Sequence, residues 1–304
     1  MKFKKVFSKR ILAGLVALTT VSATTSFSSV TALNSDTQYK VYRNSTGTLM
    51  KTYTLSALND STPANARGII EDQGEDDDRD PLTNDPAQGI VRIVSADGDS
   101  YTGFVVGENT IATAASNVYN RTDGTFEKIS TIYLHGENGI VNGTTTASQV
   151  HIPSNFIQSG LTYANYALIT VNTDLSSHQV FELGVATSDI EYVKSDVTVS
   201  GIPDMLYGAT NTNIRTDTKP ITKYYYQPTT TELAYLADVT DGQQGSPVYI
   251  HTSDYFGLSY TTVVAINSSG DDYNVMYDYE GEKINYGVRI TDNILHFYNN
   301  NPNI

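Results

Sequence analysis

Five histidines, His135, His151, His178, His251 and His296, are the side chains best suited to accept a proton near neutral pH. A histidine base works only beside a nucleophile and an anion that orients it. Four of the five stand in strand-edge or loop contexts and His296 on a segment of helical periodicity, so each reads as a surface or packed imidazole. The chain has no cysteine, which removes thiol nucleophiles, zinc–thiolate sites and disulfides. The stretch from Glu71 to Asp80 holds seven acids with Arg79 as its only base. It lacks the alternating spacing and central glycine of a compact cation loop, so it reads as a solvated linker. No metal and no cofactor is expected. Tyr224-Tyr225-Tyr226, in a chain of 22 tyrosines and no tryptophan, invites a carbohydrate-binding reading. A strand alternating Tyr between core and solvent explains it better.

Any site in this chain has to be held by β structure. From Gly89 onward, short β-branched and aromatic runs alternate with Gly, Asn, Asp and Pro breakers, the pattern of an all-β barrel or sandwich. Six candidate strands fall in the first half, at 89–95, 101–106, 110–115, 130–134, 147–152 and 166–171. Six more follow at 197–201, 221–227, 233–238, 247–250, 261–266 and 286–289. One short helix is expected near the end, capped by Thr291 or Asp292, with Ile294, Leu295 and Tyr298 on one face. At the other end, Lys2, Lys4, Lys5, Lys9 and Arg10 precede an apolar run over 11–21 too short to span a bilayer. Residues 1–32 therefore read as a signal peptide, cleaved before Leu33 with Ala23 as a competing site, and the protein as secreted and extracellular. Residues 33–88 are polar and read as a pro-segment or exposed leader. The net charge is −14, and more negative once the basic start is removed. Such a surface repels nucleic acid and anionic membranes, so neither is an expected partner.

Several segments carry a resemblance. Tyr101-Thr102-Gly103-Phe104-Val105-Val106-Gly107 precedes Thr113-Ala114-Ala115-Ser116. Tyr163-Ala164-Asn165-Tyr166-Ala167-Leu168-Ile169 and Gly242-Gln243-Gln244-Gly245-Ser246-Pro247-Val248 follow. Asp77-Asp78-Arg79 runs on into Gly89-Ile90-Val91-Arg92-Ile93. Val197-Thr198-Val199-Ser200-Gly201-Ile202-Pro203, Val263-Val264-Ala265-Ile266-Asn267 and Tyr286-Gly287-Val288-Arg289-Ile290 complete the series. In this order and spacing the chain, from about Gly68 to its end, resembles the glutamyl endopeptidase family of secreted bacterial chymotrypsin-like serine proteases. The resemblance implies an all-β fold, a chymotrypsin-like double six-stranded β-barrel with a short C-terminal helix. The N-terminal barrel would span 89–180, the C-terminal barrel and helix 181–304, with the active site in the cleft between them.

It also implies a degenerate site. Ser116 stands where the family has its histidine base, Asn165 where it has aspartate and Gln244 where it has the nucleophilic serine. A carboxamide at Gln244 cannot attack a carbonyl, and a hydroxyl at Ser116 does not take a proton near neutral pH. A neutral amide at Asn165 cannot stabilise a developing imidazolium. Asn267 replaces a histidine and Val239 a threonine that serve glutamate selection, so carboxylate recognition is lost too. The backbone around Gly242, Gln243 and Gly245 still permits an oxyanion-binding turn. Ser246 reads as structural and Ser268-Ser269-Gly270 as pocket wall or loop. The chain thus reads as a secreted trypsin-like protease homologue that has lost its triad and acts by binding a peptide or protein. The alternatives are an active endopeptidase with an unconventional site, or a surface display or carbohydrate-binding protein.

Overall fold

The computed structural model describes residues 37–55, 79–82, 86–185, 196–203, 213–221, 231–253, 259–268, 276–277 and 283–299. The signal segment, most of the acidic run and Tyr224-Tyr225-Tyr226 lie outside the described residues. In chain order the strands are β1 (Thr37–Arg43), β2 (Thr48–Leu55), β3 (Asp80–Pro81), β4 (Ile90–Ser95), β5 (Ser100–Gly107), β6 (Thr110–Thr113), β7 (Tyr119–Asn120), β8 (Thr125–Phe126), β9 (Ile129–His135) and β10 (Val141–Thr145). Then come β11 (Ala147–Pro153), β12 (Ala167–Val171), β13 (Glu182–Leu183), β14 (Asp196–Gly201), β15 (Arg215–Pro220), β16 (Glu232–Tyr235), β17 (Pro247–Ser253), β18 (Ser259–Asn267), β19 (Met276–Tyr277) and β20 (Lys283–Arg289). Two α-helices, α1 (Ser154–Ser159) and α2 (Asp292–Asn299), complete the elements used below.

The first sheet runs β10-β9-β4-β5-β6-β12-β11-β1-β2 and the second β16-β20-β18-β17-β14-β15-β3. Both curl back on themselves, as the chymotrypsin-like double barrel requires. In the first, Asn44 at the end of β1 copies a strand pair with its side chain. Its Nδ2 donates to the Ile129 carbonyl at 2.8 Å and its Oδ1 accepts from the Ile129 N–H at 2.8 Å. In the second, Ile221 bridges Tyr235, and the Leu236 N–H donates to the Pro220 carbonyl at 3.1 Å, joining β15 to β16.

Alternating side chains explain why so many strands are apolar on both faces. Successive residues of a strand point to opposite faces. In β12, Ala167, Ile169 and Val171 fill the N-terminal barrel, while Leu168 joins a second apolar layer. Ile90, Phe104 and Ala112 point the same way as Leu168, and Tyr249, Val263 and Ile266 meet them from the other barrel. Val248 and Val264 instead enter the C-terminal barrel core with Val197, Val199 and Tyr235. Each barrel wall therefore separates two cores, and the layer between barrels fixes the cleft.

The segment read as an exposed leader is partly structural. β1 pairs with β11 along five positions from Tyr39↔Pro153 to Arg43↔Gln149, and Tyr39 and Val41 are buried. Tyr39 stacks on Phe297 of α2 with ring centroids 4.4 Å apart, and its hydroxyl lies 2.9 Å from that of Tyr166. Burial pushes the Tyr39 phenol up to about 12. The polar alternation of Thr37–Arg43 concealed this strand, because its burial comes from an aromatic partner some 250 residues away in sequence.

α2 forms where the sequence placed it. The Thr291 carbonyl accepts from the Leu295 N–H at 2.8 Å and its Oγ1 from the Ile294 N–H at 3.4 Å. Asp292 in the first turn complements the helix dipole. Ile294, Phe297 and Tyr298 make the buried face, with Leu295 only half-buried, because i, i+3 and i+4 share a side. In the second barrel, Arg215–Pro220 is a strand that polar composition hid. The expected strand at 221–227 lies outside the described residues beyond Ile221.

His151 illustrates how the first barrel treats its imidazoles. It is fully buried, with Nδ1 3.3 Å from the Tyr53 hydroxyl. Burial, aided by the charge of Lys51, lowers its pKa from 6.5 to about 3. The folded protein keeps this ring neutral, while the unfolded chain binds a proton below about 6.5. Its contribution to stability is therefore intact above that pH. It is lost as pH falls toward 3, at roughly 1.4 kcal/mol per pH unit at most. Thermal melts at pH 7 and pH 4 should show a larger drop in Tm for wild type than for His151→Gln. Equal drops would remove His151 as the cause.

Candidate active-site cleft

The turn after β6 sets the first site residue. Ala114 is extended, and Ala115–Asn117 form one turn of 3-10 helix that leaves Ser116 exposed and Asn117 buried. Asn165 follows a second 3-10 turn, Thr162–Ala164, its N–H donating to the Thr162 carbonyl at 3.0 Å. The two turns meet directly: the Ser116 N–H donates to Asn165 Oδ1 at 2.8 Å.

Gln244 arrives from the second barrel on the turn between β16 and β17. Its carbonyl accepts from the Thr102 N–H at 3.1 Å and from Asn117 Nδ2 at 2.8 Å. Asn117 also donates to Thr113 Oγ1 at 2.9 Å, and Thr113 Oγ1 to the Thr102 carbonyl at 2.8 Å. Thr102 Oγ1 donates in turn to the Gly242 carbonyl at 2.8 Å and accepts from the Ile202 N–H at 2.9 Å. Side chains of Thr102, Thr113 and Asn117 thus stitch the Gln244 turn to the rim that bears Ser116. The structure brings Ser116 and Asn165 into contact, and ties the Gln244 backbone to Asn117, the neighbour of Ser116. Asn117 and Thr102 carry no chemical signature in the sequence and were not singled out there.

The turn itself keeps a tight geometry. Gly242 and Gly245 have φ of 88° and 86°, a region that favours glycine. The Gln243 N–H donates to the Thr240 carbonyl at 3.0 Å and the Gly245 N–H to the Asn267 carbonyl at 2.8 Å. The Gly242 N–H donates to Oε1 of Gln244 at 3.3 Å, so the Gln244 carboxamide folds back over its own turn.

The residues marked for specificity lie behind this turn. Asn267 is fully buried; its Oδ1 accepts from the Tyr235 hydroxyl at 2.5 Å and its Nδ2 donates to the Gln243 carbonyl at 2.8 Å. Val239 is packed in the C-terminal barrel core beside Tyr235 and Val248. Ser246 is fully buried, with its hydroxyl crowded against Gly201, and so cannot meet a substrate. Ser268 Oγ donates to the Ile266 carbonyl at 3.4 Å, a weak local bond. Ser269 and Gly270 lie outside the described residues.

In front of Ser116 and Asn165 opens a cleft of about 380 Å³, walled by Tyr101, Tyr119 and Phe156 and edged by Asp99, Arg121 and Glu127. Burial and the nearby acids Asp97, Asp99 and Asp123 raise the Glu127 pKa. None of the five histidines lines the cleft. His135 is buried in the first barrel, Nδ1 donating to the Ile90 carbonyl at 2.9 Å, and His151 is buried as described. Among the described residues no group of three or more His, Cys, Asp or Glu is placed to hold a metal ion. None of their helices is long and apolar enough to cross a membrane.

No family model matches the chain. It is 29% identical over 288 residues to a glutamyl endopeptidase of Bacillus licheniformis, covering 91% of this chain and 85% of that protein. It is 27% identical over 195 residues to an extracellular metalloprotease of Bacillus subtilis, covering 64% of this chain and 55% of that protein. Among solved structures, a Glu endopeptidase superposes with a TM-score of 0.59 at 22% identity, over 74% of this chain and 96% of the other. A thermostable serine protease from an extremophilic microorganism superposes with a TM-score of 0.54 at 14% identity, over 70% of this chain and 95% of the other. The structural likenesses establish the fold as that of chymotrypsin-like serine proteases.

Proposed function

We propose that this homologue of chymotrypsin-like serine proteases is a secreted protein that holds an extended peptide in its cleft and does not cut it. One observation supports the reading most directly. The turn of Gln244 keeps its tight glycine geometry and its tie to the rim that bears Ser116, yet Ser116, Asn165 and Gln244 supply only one hydroxyl and two carboxamides. A retained backbone can accept a peptide by main-chain hydrogen bonds, while no nucleophile–base pair is available to break it.

The test is to pan a peptide-display library on the wild-type protein and measure the selected sequences against Ser116→Trp, which fills the cleft. Peptides recovered intact, binding Ser116→Trp at least tenfold more weakly, are the expected result. Cleaved peptides, or equal affinity for both proteins, would overturn the reading. Gln244→Ala sharpens it. Freeing the Gly242 N–H from the protein's own carboxamide should strengthen binding of the same peptides by about two- to tenfold, the worth of one net hydrogen bond.

A further inference from the structure

The four described residues Arg79–Leu82, where the acidic run ends, are built into the second barrel from outside. β3 pairs with the edge of β15, Asp80 opposite Thr216 and Pro81 opposite Arg215. The Leu82 N–H donates to the Ile214 carbonyl at 3.0 Å, and Arg215 Nη1 to the Arg79 carbonyl at 3.2 Å. A proline is tolerated here because an edge strand leaves one row of N–H positions unused. Asp80 and Pro81 face solvent, while Arg79 and Leu82 on either side are buried. Leu82 enters the layer between the barrels. Arg79, 3% exposed, goes the other way, beneath the turn that carries Gln244. Its Nη1 donates to Thr240 Oγ1 at 3.1 Å and to Gln243 Oε1. Gln243 Oε1 also accepts from the Thr240 N–H at 3.0 Å.

We infer that Arg79 is a positioning residue: the strap from Arg79 to Leu82 sets the conformation of the Thr240–Ser246 turn, so that the leader and the cleft are mechanically coupled. A guanidinium presents a rigid, planar fork of donors. Here one nitrogen of that fork, Nη1, holds two points of the turn: Thr240, which opens it, and Gln243, which immediately precedes the residue at its tip. The amide of Gln243 is fully buried, with one end crowded by these donors while its Nε2 has no hydrogen-bond partner. That asymmetry is what a side chain held for its acceptor oxygen alone would show. Moving the strap withdraws a donor from Gln243 and loosens the same turn that bonds Thr102 and Asn117 across the cleft.

Amide hydrogen exchange on the full chain reads this coupling residue by residue. In Arg79→Met, the Gln243 and Ser246 amides, bonded to the Thr240 and Gln243 carbonyls, should exchange at least tenfold faster. Ile132 and Ile169 in the first barrel should be unchanged, and Arg79→Lys should fall between wild type and Arg79→Met. Gln243→Glu supplies a counter-charge and should raise Tm beside Arg79, yet lower it in the Arg79→Met background, where the buried carboxylate loses its cation. Unchanged exchange at Gln243 and Ser246, or a parallel rise in both barrels, would overturn the coupling. Should Arg79→Met fail to fold, the other two variants decide. Arg79→Lys must loosen the turn selectively and Gln243→Glu must stabilise the protein, and failure of either removes the inference.

Discussion

No fragment above the buffer control is expected when the wild-type protein is incubated with an unstructured substrate such as casein, whether assayed after glutamate or after any other residue. The side chains at Ser116, Asn165 and Gln244 are one hydroxyl and two carboxamides; the first two line the cleft and the third folds over its own turn. None can act as a base near neutral pH, and His135 and His151 are buried in the first barrel. Loss of a whole triad in the serine proteases where it has been dissected costs on the order of a million-fold in turnover. What survives there, ~10³–10⁴ over water from the oxyanion site and binding, is invisible in an ordinary assay because uncatalysed peptide hydrolysis is so slow. Reversion separates the contributions. Gln244→Ser alone provides a hydroxyl without a base, and Ser116→His alone a base without a nucleophile, so both should stay silent. The triple reversion Ser116→His, Asn165→Asp, Gln244→Ser is the variant expected to recover measurable hydrolysis, since the Ser116 turn already bonds Asn165 and Asn117 already holds the Gln244 carbonyl. Stoichiometric labelling of the wild type by a fluorophosphonate probe, mapped to a single serine, would sink the inactive reading.

The parts of this molecule legible in the sequence are those whose signal is local. Strands such as 101–106 and 147–152 announce themselves by β-branched runs between glycine and asparagine breakers, and α2 by its Thr291 cap and i, i+3, i+4 apolar spacing. The glycines at 242 and 245 likewise mark a tight turn. Illegible were the residues whose role exists only through a distant partner. Tyr39 in a polar leader is buried because Phe297 stacks on it. Thr102 and Asn117 look like ordinary loop and strand polars until each is found bonded across the cleft, to residues more than a hundred positions away. Arg79 reads as one base among seven acids, and its burial under Gln243 depends on an edge pairing with β15 that a polar strand gave no reason to expect.

Gly245→Ala should be among the most damaging single substitutions in the second barrel, and the reason is specific to the cleft. At φ 86° an alanine already incurs the left-handed penalty, about 1–2 kcal/mol. Its Cβ would then stand 2.3 Å from the Thr102 carbonyl oxygen, 2.3 Å from Thr113 Oγ1 and 2.7 Å from Asn117 Nδ2. The first of these is backbone in β5, paired on both sides, and cannot retreat without disturbing the sheet. The other two are atoms of the network that reaches the Gln244 turn: Asn117 Nδ2 bonds the Gln244 carbonyl and Thr113 Oγ1 holds Asn117, so relieving the clash breaks those bonds. With two buried hydrogen bonds at ~1 kcal/mol each added to the backbone penalty, the total reaches about 3–4 kcal/mol. In a chain of this size that lowers Tm by roughly 6–16 °C. Gly98 provides the control: its φ is 99°, and a Cβ there would meet nothing within 4 Å. Gly98→Ala should therefore cost the backbone penalty alone. Denaturant melts of the two variants measure the difference directly, and equal losses would show that the contacts at Gly245 do not hold the cleft together.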